Sequence, residues 1–459
     1  MKKYLLKNGT VVSASGCSRM DILIEGEKIL ETGTELSCED AIVMDVSGKL
    51  LFPGFIDGHT HFDLEVAGTV TADDFETGTR AALLGGTTMV IDYASQDKGG
   101  HSLMEGLEKW HRKADGKCSC DYSFHMSVVE WNEEVEKEIP LMLQEGITSF
   151  KLYMTYPAMM VNDADLYRII KCLKKYDCFA GIHCENAGVI DALIQEAKAA
   201  GRLGPENHPL VRPDTLEAEA VHRVLVIAGQ AGAPVMIVHL TNRKALLEVE
   251  RARQNGQTVY AETCPQYLLL EDSVYSKPDF GGAVYVCAPP IRKKEDQEAL
   301  WDALKTGEIQ TVATDQCSFT LAQKALGKED FTRIPGGLPG VQTRGALLYT
   351  YGVRTGRITV EKMCELLCEN PARLYGLWPR KGVIAKGSDA DIVVFDPEKE
   401  SVISARTQAC NTDNNPFEGF SLHGDVEKVF LRGNLAAENG QILMGKLGKY
   451  IYRDKNQLA

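Results

Sequence analysis

Imidazole and carboxylate side chains hold divalent metals, and this chain offers them at the ends of short apolar runs. One run leads into Asp57-Gly58-His59-Thr60-His61. In an extended segment residues two apart point to the same side, so His59 and His61 can hold one metal together. Gly181-Ile182-His183, Val238-His239 and Ala313-Thr314-Asp315 close three further runs, and Lys151 lies within Ser149-Phe150-Lys151-Leu152-Tyr153. Any one of these histidines alone is as readily an ordinary core residue. As a set they are more telling: the chain has only 10 histidines, and His101, His111, His208, His222 and His423 fall in helical or loop patterns. His125 lies within a strand and reads as core. A lysine ammonium is no metal ligand, but a lysine carbamylated by carbon dioxide is an anion that can bridge two metals. Placed between Phe150 and Leu152, Lys151 is a poor candidate for a surface lysine, because an ammonium is costly in an apolar core.

Something must bring these positions to one place. Eight short apolar runs recur: Leu50–Ile56, Thr88–Ile91, Tyr122–Val128, Ser149–Tyr153, Phe179–His183, Val235–Leu240, Thr258–Thr263 and Ile309–Thr314. Amphipathic stretches such as Asp163–Lys175 and Thr215–Ala231 lie between them. Strands alternating with helices predict an α/β fold, a (β/α)₈ TIM barrel, whose site lies at the C-terminal ends of its strands. A doubly wound open sheet fits less well, since no GxGxxG follows the first strand. Both chain ends are β-rich. Tyr4–Lys7 and Thr10–Val12 flank Asn8-Gly9, a hairpin turn signal; Asp21–Glu25 alternates polar and apolar, and Ala390–Phe395 and Val426–Leu431 read as strands. The predicted organisation is therefore a small β-sandwich from residues 1–52 and 379–445, the barrel over 53–378, and an exposed polar, basic tail over 446–459 that could serve subunit contacts.

Composition narrows the classes. The 459 residues are 44% hydrophobic and 25% charged, which is enough for a large core. The net charge of −14 and the lack of a dense basic patch argue against a nucleic-acid partner. No run of about 18 apolar residues predicts a membrane span, and Met1–Leu6 does not read as a signal peptide. The 13 cysteines are odd in number and show no CxxC spacing, so reduced thiols and a cytoplasmic location are expected. Cys118 and Cys120 form a CxC with no partner pair nearby.

At this point the chain resembles the cyclic amidohydrolases of the dihydropyrimidinase and D-hydantoinase (phenylhydantoinase) family, over essentially its whole length. The resemblance rests on Pro53-Gly54-Phe55-Ile56-Asp57-Gly58-His59-Thr60-His61, the run from Asp73 to Ala82, Gly85-Gly86-Thr87-Thr88, Ser149-Phe150-Lys151, the run from Glu262 to Leu268, and Gly337-Leu338-Pro339-Gly340-Val341. It implies a barrel with a β-sandwich built from both termini. It implies two divalent metal ions, zinc first among them: His59 and His61 on the more buried, His183 and His239 on the more exposed, N6-carboxylated Lys151 bridging both. Asp315 would be a ligand and general base, Tyr156 an oxyanion donor, and Tyr156, Ala288 and Gly336 substrate-binding positions. The implied reaction is hydrolysis of a dihydropyrimidine or 5-substituted hydantoin to an N-carbamoyl amino acid by a metal-bridging hydroxide, in a homotetramer or dimer.

Three positions depart from the family pattern. Gln316 stands where a histidine is usual, Ala288 where serine is usual and Gly336 where asparagine is expected. Gln316 is expected to tune the site without abolishing activity, and the other two contact the ring through backbone in the family. The barrel-mouth loops Leu64–Thr71, Tyr93–Gly100 and Tyr156–Asn162 are expected to set substrate preference. An allantoinase-like hydrolase shares the ligands. Dihydroorotase carries an arginine where Asp63 stands, and a carboxylate there would repel an anionic substrate. A non-catalytic scaffold of the collapsin response mediator type has lost the ligands that this chain retains.

Overall fold

The computed structural model describes residues 2–99 and 102–458; His101 and the end of the Tyr93–Gly100 loop lie outside them. Eight parallel strands in sequential order make the barrel: β1 (Phe55–Thr60), β2 (Thr87–Ser95), β3 (Asp121–Ser127), β4 (Ser149–Tyr153), β5 (Phe179–His183), β6 (Val235–Ile237), β7 (Val259–Thr263) and β8 (Thr311–Val312). Nearly every residue in them is buried, the pattern of strands covered on both faces. Ile56, Met89, Ile91, Phe179, Met236 and Tyr260 pack together inside, with Tyr375 and Ile451 against them.

The ring closes between β1 and β8 with few regular ladder bonds. His61 N–H donates to Gln316 O at 2.8 Å, and Gln316 N–H donates to His59 O at 3.3 Å. Lower down, the buried Arg344 donates to Ile56 O (2.9 Å), Val312 O (3.0 Å) and Thr87 Oγ1 (3.0 Å). One side chain thus supplies bonds that the short β8 lacks.

A nine-stranded sheet takes strands from both chain ends and forms the β-sandwich domain. Its core holds Tyr4, Leu6, Ile22, Ile24 and Leu51 from the start of the chain and Ile392, Val394 and Phe430 from the end. Lys381 joins it to the barrel: its Nζ lies 2.7 Å from Asp121 at the start of β3 and also pairs with Asp389 and Asp391. These three carboxylates could hold a cation, and Lys381 already supplies one.

Three expectations are corrected. Asn8-Gly9 is not a hairpin turn. Lys3–Ser13 is one strand paired with Gly16–Glu25, and the register shifts between Leu6 and Gly9. Asn8 has φ 68° and its N–H donates to Asp21 Oδ1 at 2.9 Å. It forms a bulge, since asparagine tolerates the left-handed region almost as glycine does. Leu50–Ile56 is not one strand either. Leu50–Pro53 pairs with Ile392–Phe395 in the sandwich, and β1 begins at Phe55. Gly54 is the crossing point, where a Cβ would lie 2.0 Å from Thr88 Oγ1. Nor is the tail simply exposed: Ile451 and Arg453 are buried. Arg453 Nε donates to Ser123 Oγ (2.9 Å) and Nη1 to Ser149 Oγ (2.8 Å), so the tail seals the N-terminal end of the barrel.

Cys118, Cys120 and most other cysteines are buried and unbridged. Among the described residues no helix is long and apolar enough to cross a membrane.

Candidate metal centre and cavity

β1 delivers His59 and, one step past its end, His61, whose rings lie 5.2 Å apart. β4 carries Lys151 in its middle, β5 ends on His183, and His239 follows β6. Asp315 follows β8, where Thr314 Oγ1 donates to Asp57 Oδ2 at 2.7 Å and pins the strand end to β1. All six open onto one cavity of about 770 Å³ at the C-terminal mouth, and so do Tyr156, Ala288 and Gly336. Every site residue expected from the sequence is therefore in one place. His125 is core as expected, held between Ser149 Oγ and Gly58 O.

The geometry is that of a metal site. His59 Nε2 and His61 Nε2 lie 3.2 and 3.1 Å from one Asp315 oxygen, and one ligand atom from each residue fits within 4.8 Å. The His183 and His239 rings are 4.5 Å apart. His59 Nε2 and His239 Nδ1 are buried without a hydrogen-bond partner. Such orphaned polar atoms are costly, and divalent cations bound at the site would answer that cost. Lys151 is 1% exposed. Among the described residues its Nζ makes no hydrogen bond or ion pair and lies against the rings of Tyr93 (4.9 Å) and Tyr153 (5.3 Å). Burial pulls it down to about 8, against the pull of Asp315 and Glu262. The donor set, borderline nitrogen with hard oxygen, suits zinc and its neighbours.

The surrounding residues orient the donors. His59 Nδ1 lies 2.6 Å from Glu262 Oε1, and His183 Nε2 lies 2.7 Å from Glu185 Oε2, which also holds Arg212 Nη1 at 2.7 Å. Burial works to raise the Glu185 carboxyl, but Arg212 and His183 outweigh it and hold it at about 2. Burial likewise opposes ionisation of Asp315, and His59 and His61 overcome it, so the group sits well below the usual carboxylate range.

Three site residues, Tyr156 (φ 66°), His239 (φ 38°) and Asp315 (φ 54°), have left-handed backbones. This conformation is uncommon for such side chains and tends to gather at functional sites.

The cavity walls hold what sequence reasoning missed. His208, Val211 and Arg212 come from the segment before the helix Asp214–Ala231, and Phe331, Thr332 and Ile334 from a loop far along the chain. No spacing signal marks them. Of the three loops expected at the mouth, Leu64–Thr69 and Tyr156–Met159 line the cavity, and no described residue of Tyr93–Gly100 does. Tyr93 instead stacks on His61 (5.1 Å) and His125 (4.6 Å) beneath it. Asp63 turns toward Lys113, 4.0 Å away, rather than into the cavity, so its charge is no direct guard against anionic substrates. Gln316 does not reach the cavity either. Its Nε2 donates to Asp73 Oδ2 (3.0 Å), and its Oε1 accepts from Gly340 N (2.6 Å) and Val341 N (2.9 Å).

A barrel with histidines, an aspartate and a buried lysine around one mouth is the frame of metal-dependent hydrolases, and the comparisons agree. Residues 50–436 match the amidohydrolase family, and the chain belongs to it. It is 46% identical to a D-hydantoinase of Streptomyces coelicolor, over 94% of this chain and 93% of that protein. It is 42% identical to a D-phenylhydantoinase of Escherichia coli over 97% of each. The crystal structure of a dihydropyrimidinase from Brevibacillus agri superposes with a TM-score of 0.98 at 42% identity, covering 100% of both chains.

Proposed function

We propose that this protein hydrolyses the ring amide of a dihydropyrimidine or a 5-substituted hydantoin to an N-carbamoyl amino acid. The observation that carries this reading is the meeting of His59, His61, Lys151, His183, His239 and Asp315 on one cavity with buried donor atoms left unpaired. These six would hold two divalent cations, zinc by preference, with Lys151 carboxylated on Nζ. The bound metals would supply Lewis acidity and a water acidic enough to attack at neutral pH. Burial that lowers Lys151 supports the carboxylation, since it favours the neutral, nucleophilic amine.

The chain's own groups have separable tasks. Asp315 takes the proton of the attacking water and hands it to the ring nitrogen as the C–N bond breaks. The Tyr156 hydroxyl, on a ring centred 5.2 Å from that of His183, donates to the carbonyl oxygen as charge develops there. Burial pushes this phenol well up, so it remains a donor across the working range. Backbone groups at Ala288 and Gly336 hold the ring. An apolar wall of Leu64, Met159, Ile194 and Phe331 receives a ring substituent. The D-hydantoinase and D-phenylhydantoinase relatives support D-selectivity. A cytoplasmic location and a homo-oligomer, dimer or tetramer, complete the reading, and light scattering would test the assembly. A scaffold would have no use for the orphaned buried nitrogens, and an allantoinase-like specificity is an outcome of the substrate panel.

The test is to purify the protein with zinc and bicarbonate and assay dihydrouracil, hydantoin and both enantiomers of 5-phenylhydantoin, with Lys151→Ala alongside and metal content measured. Ring opening that vanishes in Lys151→Ala together with bound metal supports the reading, and the preferred ring names the substrate class. Folded, metal-loaded protein that opens none of them rejects it.

A further inference from the structure

Lys324 ends the short helix Leu321–Lys324 and is 2% exposed. Its ammonium has no carboxylate partner among the described residues. It donates instead to three main-chain carbonyls: Val286 O at 2.9 Å, Pro335 O at 2.8 Å and Gly337 O at 2.9 Å. Burial lowers it to about 8. A buried cation satisfied only by backbone is an expensive arrangement, and its position explains the cost. Val286 and Ala288 form one rim segment of the cavity, and Ile334, Gly336 and Gly337 a second one packed beside it. Apart from Lys324, one backbone bond ties these rims among the described residues, Gly337 N–H to Val286 O at 2.9 Å. Neither Ala288 nor Gly336 brings a polar side chain, so any hold on a polar ring at these positions depends on where the main chain lies.

We infer that Lys324 is a positioning residue: its ammonium fixes the spacing of the two backbone rims at Ala288 and Gly336 and thereby sets affinity for the substrate ring. This rests on the ring-hydrolase reading for the ligand, though not for the clamp itself. Lys324 touches none of the candidate metal ligands, so ring binding should depend on it more than the chemical step does.

The experiment compares Lys324→Met, which keeps the length and loses all three donors, with Lys324→Gln, which keeps two. Both are measured as zinc-loaded full-length protein. Expected are a KM for the preferred ring raised about tenfold or more in Lys324→Met, with kcat within about threefold and metal content unchanged, and partial recovery in Lys324→Gln. Amide exchange should quicken at 286–288 and 335–338 and stay unchanged around His59 and Asp315. An unchanged KM, or a kcat that falls in step with metal content, overturns the inference. If Lys324→Met does not fold, Lys324→Gln decides by the same criteria. If the wild-type protein opens no ring, the ring-hydrolase reading fails. Rim exchange and equilibrium binding of 5-phenylhydantoin then judge Lys324 separately.

Discussion

His208 shows how one buried side chain sets a condition on the whole site. It is 7% exposed, its Nε2 lies 2.7 Å from Cys287 O, and it lines the cavity next to Arg212. Burial, then the Arg212 charge, pulls it down to about 3. Its folded pKa is thus below the unfolded value near 6.5, so the folded state binds fewer protons once the pH drops below that value. The neutral ring's contribution is fully present above about pH 6.5 and is lost as the pH falls toward 3, costing about 2 kcal/mol by pH 5. The prediction is that His208→Gln, which can keep one donor, shows a shallower fall in Tm between pH 7 and 5 than the parent. Identical slopes would assign the acid sensitivity elsewhere. Sequence reasoning set His208 aside because it lies in no strand pattern, and its burial comes from contacts 79 residues away.

At the scale of elements, the closure between β1 and β8 controls where Asp315 stands. Gln316 is its keystone. Its main chain bonds to both sides of His59-Thr60-His61, while its side chain gathers Asp73 and the Gly340-Val341 amides. Gln316→Ala would remove one of the donors to the buried Asp73, which keeps Ser318 and Asn411, and leave two backbone N–H groups unpaired, a loss of about 2 kcal/mol or more. Denaturant unfolding would measure it, and a loss below about 1 kcal/mol would show that the segment is held otherwise. Gln316→His should fall between the parent and Gln316→Ala, because a neutral imidazole offers one donor for Asp73 but a single acceptor lone pair for the two amides. From sequence this position reads as a change tuning the site; in the fold it is chiefly a closure residue. The strands β4 and β5, by contrast, run as expected from their apolar runs, because a barrel strand buried on both faces is written in contiguous residues.

For the whole molecule, the tail and the Lys381 cluster bind distant parts of the chain together. Arg453 reaches β3 and β4 at the end of the barrel opposite the candidate site. Arg453→Met would remove the donors to the Ser123 hydroxyl and the Phe124 carbonyl and leave the Ser149 hydroxyl with His125 alone among the described residues. The expected cost is about 2–3 kcal/mol in stability, seen as a lower Tm in calorimetry, with kcat/KM unchanged. A fall in kcat/KM at full stability would instead couple the tail to the cavity.

The residue types and their two-residue and strand-end spacing by themselves pointed to the candidate ligand set, the barrel and the split sandwich. These follow from local periodicity, since a strand's alternation decides which side chains share its inner face. The tertiary structure alone decided the rest. Asn8-Gly9 is a bulge because Asp21 captures its amide, and Gly54 breaks one apolar run into two strands because Thr88 leaves no room for a Cβ. Arg212, His208 and Phe331 reach the cavity, and Lys324 the carbonyls behind its rim, through contacts between segments far apart in sequence. No pattern along the chain encodes which loops meet, because that depends on how the elements between them pack.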